Sequence, residues 1–160
     1  MANYTDTLGF NKGSAAYPAY GDTRIAYMET VVDFAAIIAA RAAANATPLS
    51  AATSDTLQII QVPANSLILH AGFQVTKAET ANTTATFDFG FTSGAGVFTT
   101  GVFGNDVASN ALGWSLPAGA GLAAPLIIGT SADTLDLLLN TATPTNCILR
   151  CFAFVLNPNA

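Results

Sequence analysis

Asp55-Thr56-Leu57-Gln58-Ile59-Ile60-Gln61-Val62-Pro63, then Ser66 through Lys77, then Thr84-Ala85-Thr86-Phe87-Asp88-Phe89-Gly90-Phe91-Thr92 form the stretch whose reading decides the fold. It contains three strand-like runs separated by turn residues. In the third run Ala85, Phe87, Phe89 and Phe91 share one face, and Thr86, Asp88, Gly90 and Thr92 share the other, so a period of two assigns the phenylalanine face to a core. The middle run places Leu67, Leu69, Ala71, Phe73 and Val75 inward, against Ile68, His70, Gly72, Gln74 and Thr76. A packed antiparallel β-domain is expected to start here.

Upstream, Ile25, Tyr27, Glu29 and Val31 alternate with Ala26, Met28, Thr30 and Val32 in a first strand running from Arg24 to Val32. Asp33 can cap a short Ala-rich helix from Phe34 to about Ala44, because its carboxylate can accept the unpaired first-turn amides. Phe34, Ile37, Ile38 and Arg41 share a stripe of that helix, and Asn45 with Pro48 supplies its stop. Downstream, Ser93 to Gly121 holds seven glycines and reads as a Gly-rich loop region, with short strands conceivable at Val97 to Phe103 and Leu112 to Leu116. Regular structure resumes at Leu122 to Ile128, Asp133 to Asn140 and Asn146 to Leu156. The whole predicts an all-β chain, an antiparallel β-sandwich or jelly roll of about eight strands. Residues 24–160 form its single domain, preceded by an extended N-terminal arm at 1–23.

Composition narrows the function. Only 9% of the residues are charged, where about 25% is ordinary, and 51% are hydrophobic, so part of the surface is expected to be covered by something other than water. The most apolar stretch, Val31 to Ala44, contains Asp33 and Arg41 and is soon ended by Pro48, which argues against a membrane span. Met1-Ala2-Asn3-Tyr4-Thr5-Asp6 has neither a basic nor an apolar signal segment, so synthesis in a cytosol is expected. Net charge is −5, and the cations Lys12, Arg24, Arg41, Lys77 and Arg150 are scattered, so no basic stripe exists for nucleic acid.

Chemistry finds little support. The one histidine, His70, points away from the inward face of its strand, and no G-x-S-x-G, H-E-x-x-H or P-loop pattern occurs. Asp133 and Asp136 fall on opposite faces of a strand, which separates them as an acid/base pair. Asn105, Asp106 and Asn110 carry oxygen ligands but lack the glutamate and spacing of a calcium loop, and read as an ordinary turn. Cys147 and Cys151, four apart on a strand and so about 13 Å from each other, read as buried thiols rather than a disulfide or zinc site. The expectation is a protein with no catalytic residues, no metal and no cofactor.

Association is the stronger signal. In the last strand Cys147, Leu149, Cys151, Ala153 and Val155 fill one face, while Ile148, Phe152, Phe154 and Leu156 surround Arg150 on the other. A two-layer sandwich covers one face of each sheet, so Ile148, Phe152 and Phe154 are candidates for an oligomer interface. Tyr4, Phe10, Tyr17 and Tyr20 are candidate partner-binding anchors on the arm, and Phe98, Phe103 and Trp114 are candidate partner or loop contacts.

The series Asp55-Thr56-Leu57 with Val62-Pro63-Ala64, Leu69 to Glu79, Thr86-Phe87-Asp88-Phe89-Gly90 and Asp133-Thr134-Leu135-Asp136-Leu137 resembles small jelly-roll virion proteins of tailed bacteriophages, of the capsid decoration or cement type. The likeness spans Arg24 to Val155 in the order of its strands. It implies a homotrimer seated on the outside of the phage head at threefold positions. Its partner would be the major capsid protein, which it would hold by non-covalent contacts, and it would have no nucleic-acid or membrane partner. The alternative reading is a glycan-binding jelly-roll module of a phage tail fibre or tail tip, with Trp114 stacking on sugars.

Overall fold

Alternating apolar residues sort into two antiparallel sheets that bury their facing sides. The computed structural model describes residues 3–4, 25–92, 98–115, 126–128 and 130–156. In chain order its elements are β1 (Asn3–Tyr4), β2 (Ile25–Asp33), α1 (Phe34–Ala43), a 3-10 turn (Ala51–Thr53), β3 (Thr56–Val62), β4 (Leu67–Lys77), β5 (Thr86–Thr92), β6 (Phe98–Ala108), β7 (Gly113–Ser115), β8 (Leu126–Ile127), β9 (Asp133–Asn140) and β10 (Ile148–Leu156). The first sheet has the order β1-β3-β9-β5-β6, and the second has β2-β10-β4, with β7 and β8 both pairing the far edge of β4. All these pairings are antiparallel apart from the two-residue parallel match of β1 to β3. The chain changes sheets at each step from β2 to β5, and again from β6 to β7, from β8 to β9 and from β9 to β10, which makes this an all-β sandwich and not a meander.

Phenylalanines join the layers. Phe73 of the second sheet meets Phe87 and Phe89 of the first edge-on, each at 6.1 Å, and Phe103 lies 6.0 Å from both Phe89 and Phe91. Phe87 and Phe89 are fully buried and Phe91 nearly so, as the period-two reading requires. Along one side of the sandwich the Thr30 hydroxyl donates to the Ile59 carbonyl at 3.0 Å, tying β2 to β3. The helix begins where expected: the Asp33 carboxylate accepts from the Ala36 N–H, and Phe34 stacks on Phe87 at 5.3 Å, so α1 covers one end of the core. Ile37 and Arg41 are buried with Phe34, whereas Ile38 faces outward. No helix among the described residues is long and apolar enough to cross a membrane.

Three expectations need correction. In β4, Ile68 is fully buried while Leu67 and Leu69 are half-exposed, so the inward set is Ile68, Ala71, Phe73 and Val75. The cause is a register shift against β10: Phe154 pairs with His70 and Val155 with Ile68, which leaves Leu69 as an extra residue that reverses the phase. Second, much of the expected Gly-rich loop is the eleven-residue strand β6 followed by β7. Two register shifts against β5 and a left-handed Asp106, φ 50°, break the alternation that would have revealed it. Asn105 and Asp106 therefore lie within a strand and not in a turn. Third, Phe103 is fully buried in the core and is not a partner contact.

At the α1 end a buried carboxylate fastens two loops. Glu79 Oε1 accepts from the N–H groups of Ala81 and Asn82 and from the Thr145 hydroxyl, and Oε2 accepts from the N–H groups of Thr145 and Asn146. Burial works to raise its pKa, but the backbone donors of Asn146, Thr145 and Ala81 prevail and hold it at about 2. Asp136 behaves in the opposite way. Fully buried on β9, it accepts from the Thr92 N–H at 3.1 Å and the Thr134 hydroxyl at 2.7 Å, yet burial dominates and pushes its pKa up to about 6.

Truncating Phe89 to alanine should cost about 3–5 kcal/mol in urea denaturation, because it empties the centre of the ring cluster. The two carboxylates give opposite pH dependences. The stabilisation from Glu79 is complete above its unfolded pKa near 4.5 and disappears as pH falls through about 2. Asp136 stabilises below its unfolded pKa near 3.8 and loses that contribution as pH rises through about 6. Asp136→Asn keeps an acceptor for the Thr92 N–H, so it should raise stability at pH 7.5 by on the order of 2 kcal/mol and leave it little changed at pH 3.5. Glu79→Gln should destabilise at pH 7.5, and melting curves across this range test both variants.

Candidate assembly surface

β10 is an interior strand of the second sheet, between β2 and β4, and its inward residues Leu149, Cys151, Ala153 and Val155, with Cys147 just before it, are all fully buried. Its outward residues have no second layer of described structure above them. Register aligns them with β2 on one side, Phe154 opposite Tyr27 and Phe152 opposite Glu29, and with β4 on the other, Phe154 opposite His70 and Phe152 opposite Gly72. Trp114 of β7 joins the same face through its pairing with Gln74.

These positions form one continuous ring cluster. Phe152 is its hub, with His70 at 5.9 Å, Trp114 at 5.8 Å, Phe154 at 6.1 Å and Tyr27 at 6.4 Å, while Tyr27 and Phe154 are 5.2 Å apart. Gly72, across from Phe152, leaves the hub ring room to lie against the sheet. The hub is 6% exposed because its neighbours cover it, whereas Phe154, Tyr27 and Trp114 are 39%, 42% and 58% exposed. Ile25 and Val31 extend the apolar surface along β2.

A small polar group sits among the rings. Arg150 Nη2 lies 2.6 Å from Glu29 Oε2, and the Tyr27 hydroxyl donates to the same oxygen. The Arg150 hydrogen bond is the main reason the Glu29 carboxyl is held below its usual range, and burial with the Glu29 bond raises the Tyr27 phenol. The pair therefore stays charged at neutral pH and cancels within the patch.

Of the residues singled out from sequence, Trp114, Phe152 and Phe154 come together here, and Ile148 lies half-buried at the end of the same row, opposite Asp33. Phe98 opens β6 opposite Thr92. Tyr4 lies in β1 opposite Leu57, and Phe10, Tyr17 and Tyr20 lie outside the described residues. Tyr27 was missed, although β2 carried the same signal as β10: Ile25, Tyr27 and Val31 on one face and Ala26, Met28 and Val32 on the other are both apolar.

Elsewhere the polar groups are structural. Among the described residues no three His, Cys, Asp or Glu side chains are grouped to hold a metal ion. The Asp88 carboxylate accepts from the Asp106 N–H and, with Asp106, from the Asn140 amide, which fastens β5, β6 and β9 together. Cys147 and Cys151 are free, buried thiols, and burial raises both, Cys147 to about 12. No family model, curated protein or solved structure matches the chain.

Trp114 is the single tryptophan and reports directly on this face. In dilute protein its emission should be that of a water-exposed indole, readily quenched by acrylamide. Covering the face should shift the emission to the blue and protect it from quenching, a change that Phe154→Ala should weaken.

Proposed function

We propose that the chain is a non-catalytic virion structural protein that decorates the outside of a tailed-phage head and strengthens the shell by non-covalent contacts. The observation that carries this reading is the exposed ring cluster of Tyr27, Trp114 and Phe154 around Phe152, in a chain with few charges. A contiguous apolar patch of this kind favours association, since burying each large side chain contributes about 1.5–3 kcal/mol. The strand order supports a jelly roll. Counting β7 and β8 as one, the eight strands from β2 to β10 divide as first-eighth-third-sixth and second-seventh-fourth-fifth, the arrangement of two interlocked Greek keys.

On this reading attachment, not chemistry, is the mechanism. An oligomer that holds several shell subunits at once gains avidity from each added contact and resists their separation. Beyond Asn3 and Tyr4, which pair with β3, the N-terminal arm reaches shell subunits, with Phe10, Tyr17 and Tyr20 as anchors. Incubation of the purified protein with undecorated heads should raise the temperature at which they rupture. Deleting residues 1–20 should leave a folded domain that no longer binds them, and undiminished binding would reject the arm's role. The exposure of Trp114 also favours a second reading, a glycan-binding module. That module would change its fluorescence with host polysaccharide and ignore heads.

A further inference from the structure

We propose that the outer face of the second sheet pairs with the same face of a second copy of this chain, in a two-fold arrangement. This rests on the reading of that face as an assembly surface and names its occupant. The first argument is charge. The chain carries net charge −5, so two copies repel over most of their surfaces. Here, by contrast, the Glu29 carboxylate is matched by the Arg150 guanidinium 2.6 Å away on the neighbouring strand, so this part of the face carries no net charge. With Glu29 and Arg150 side by side, a two-fold axis lying between them sets each arginine against the glutamate of the mate. The face is complementary to itself.

The second argument is the placement of the apolar surface. The large apolar side chains exposed among the described residues are Ile25, Tyr27, Val31, Ile38, Leu112, Trp114 and Phe154. All but Ile38 and Leu112 lie on this one face, and Leu112 directly precedes β7 at its border. A head-to-tail ring needs two different complementary patches, whereas an isologous pair needs one patch that serves both partners. Among the described residues there is one such patch, and so the geometry favours the two-fold pair over the threefold ring that the phage resemblance implies.

Sedimentation velocity of the full chain at micromolar concentration should show a particle of twice the 16.3 kDa chain mass. Phe154→Asp should sediment as a monomer with an unchanged circular-dichroism spectrum. Glu29→Arg and Arg150→Glu should each abolish pairing, and a one-to-one mixture of these two variants should restore it, because each then offers the charge the other lacks. Acrylamide protection of Trp114 that grows with wild-type concentration checks the same face without any substitution. A wild-type monomer, a trimer, or a folded Phe154→Asp protein that still dimerises would overturn the proposal. A monomer that nevertheless binds heads would leave the decoration reading standing, whereas a dimer without affinity for heads would remove that reading and keep the pairing.

Discussion

Packing of the two sheets on each other covers only their facing sides, and β10 is apolar on both of its faces. This constraint shapes the molecule. The inward row from Cys147 to Val155 is completely buried against the first sheet. The outward row has only its own neighbours to lean on, and it does so by drawing Tyr27, His70 and Trp114 around Phe152. That arrangement hides the hub ring and leaves the surrounding rings in water, at a cost that a partner surface would remove.

The low charge content makes each carboxylate matter. Glu79 is buried yet ionised, because five donors from two loops converge on it, and it fastens the segment after β4 to the segment before β10. Asp136 has fewer donors and deeper burial, so its environment favours the protonated form. In these two residues donor number, and not burial alone, sets the direction in which the pKa of a buried acid moves. Both hold strands or loops in register.

Much of this fold was legible in the sequence because period-two alternation is a direct image of a sheet facing a core. β3, β5, β9 and β10 and the Asp33-capped helix all fall where that pattern places them. Alternation failed where bulges reversed or broke it in β4 and β6. Leu69 reversed the phase of β4, and the irregular pairing of β6 let glycines such as Gly101 and Gly104 pass for loop. For the candidate surface, apolar residues on both faces of β10 pointed to Phe152 and Phe154. The same feature in β2 would have added Tyr27, had it been weighed equally. Trp114 reaches the cluster through the pairing of β7 with β4, which sequence spacing does not encode. Glu79 was not legible as a loop anchor, since three of its five donors come from Thr145 and Asn146, distant in the chain.

The two sheets are unlike on their outer faces. In the first sheet the outward residues Asp88, Thr92, Thr134, Asp136 and Leu138 are buried, and three of them, Asp88, Thr134 and Asp136, are engaged in side-chain hydrogen bonds. Such a face has little apolar surface left to gain from a partner. In the second sheet the outward face is apolar, exposed and electrically balanced by Glu29 and Arg150. Burial there releases ordered water from rings while leaving no charge unpaired, which is the combination that makes protein association favourable without a large desolvation penalty. An assembly part built on this sandwich would therefore use the second sheet for contact and the first for stability.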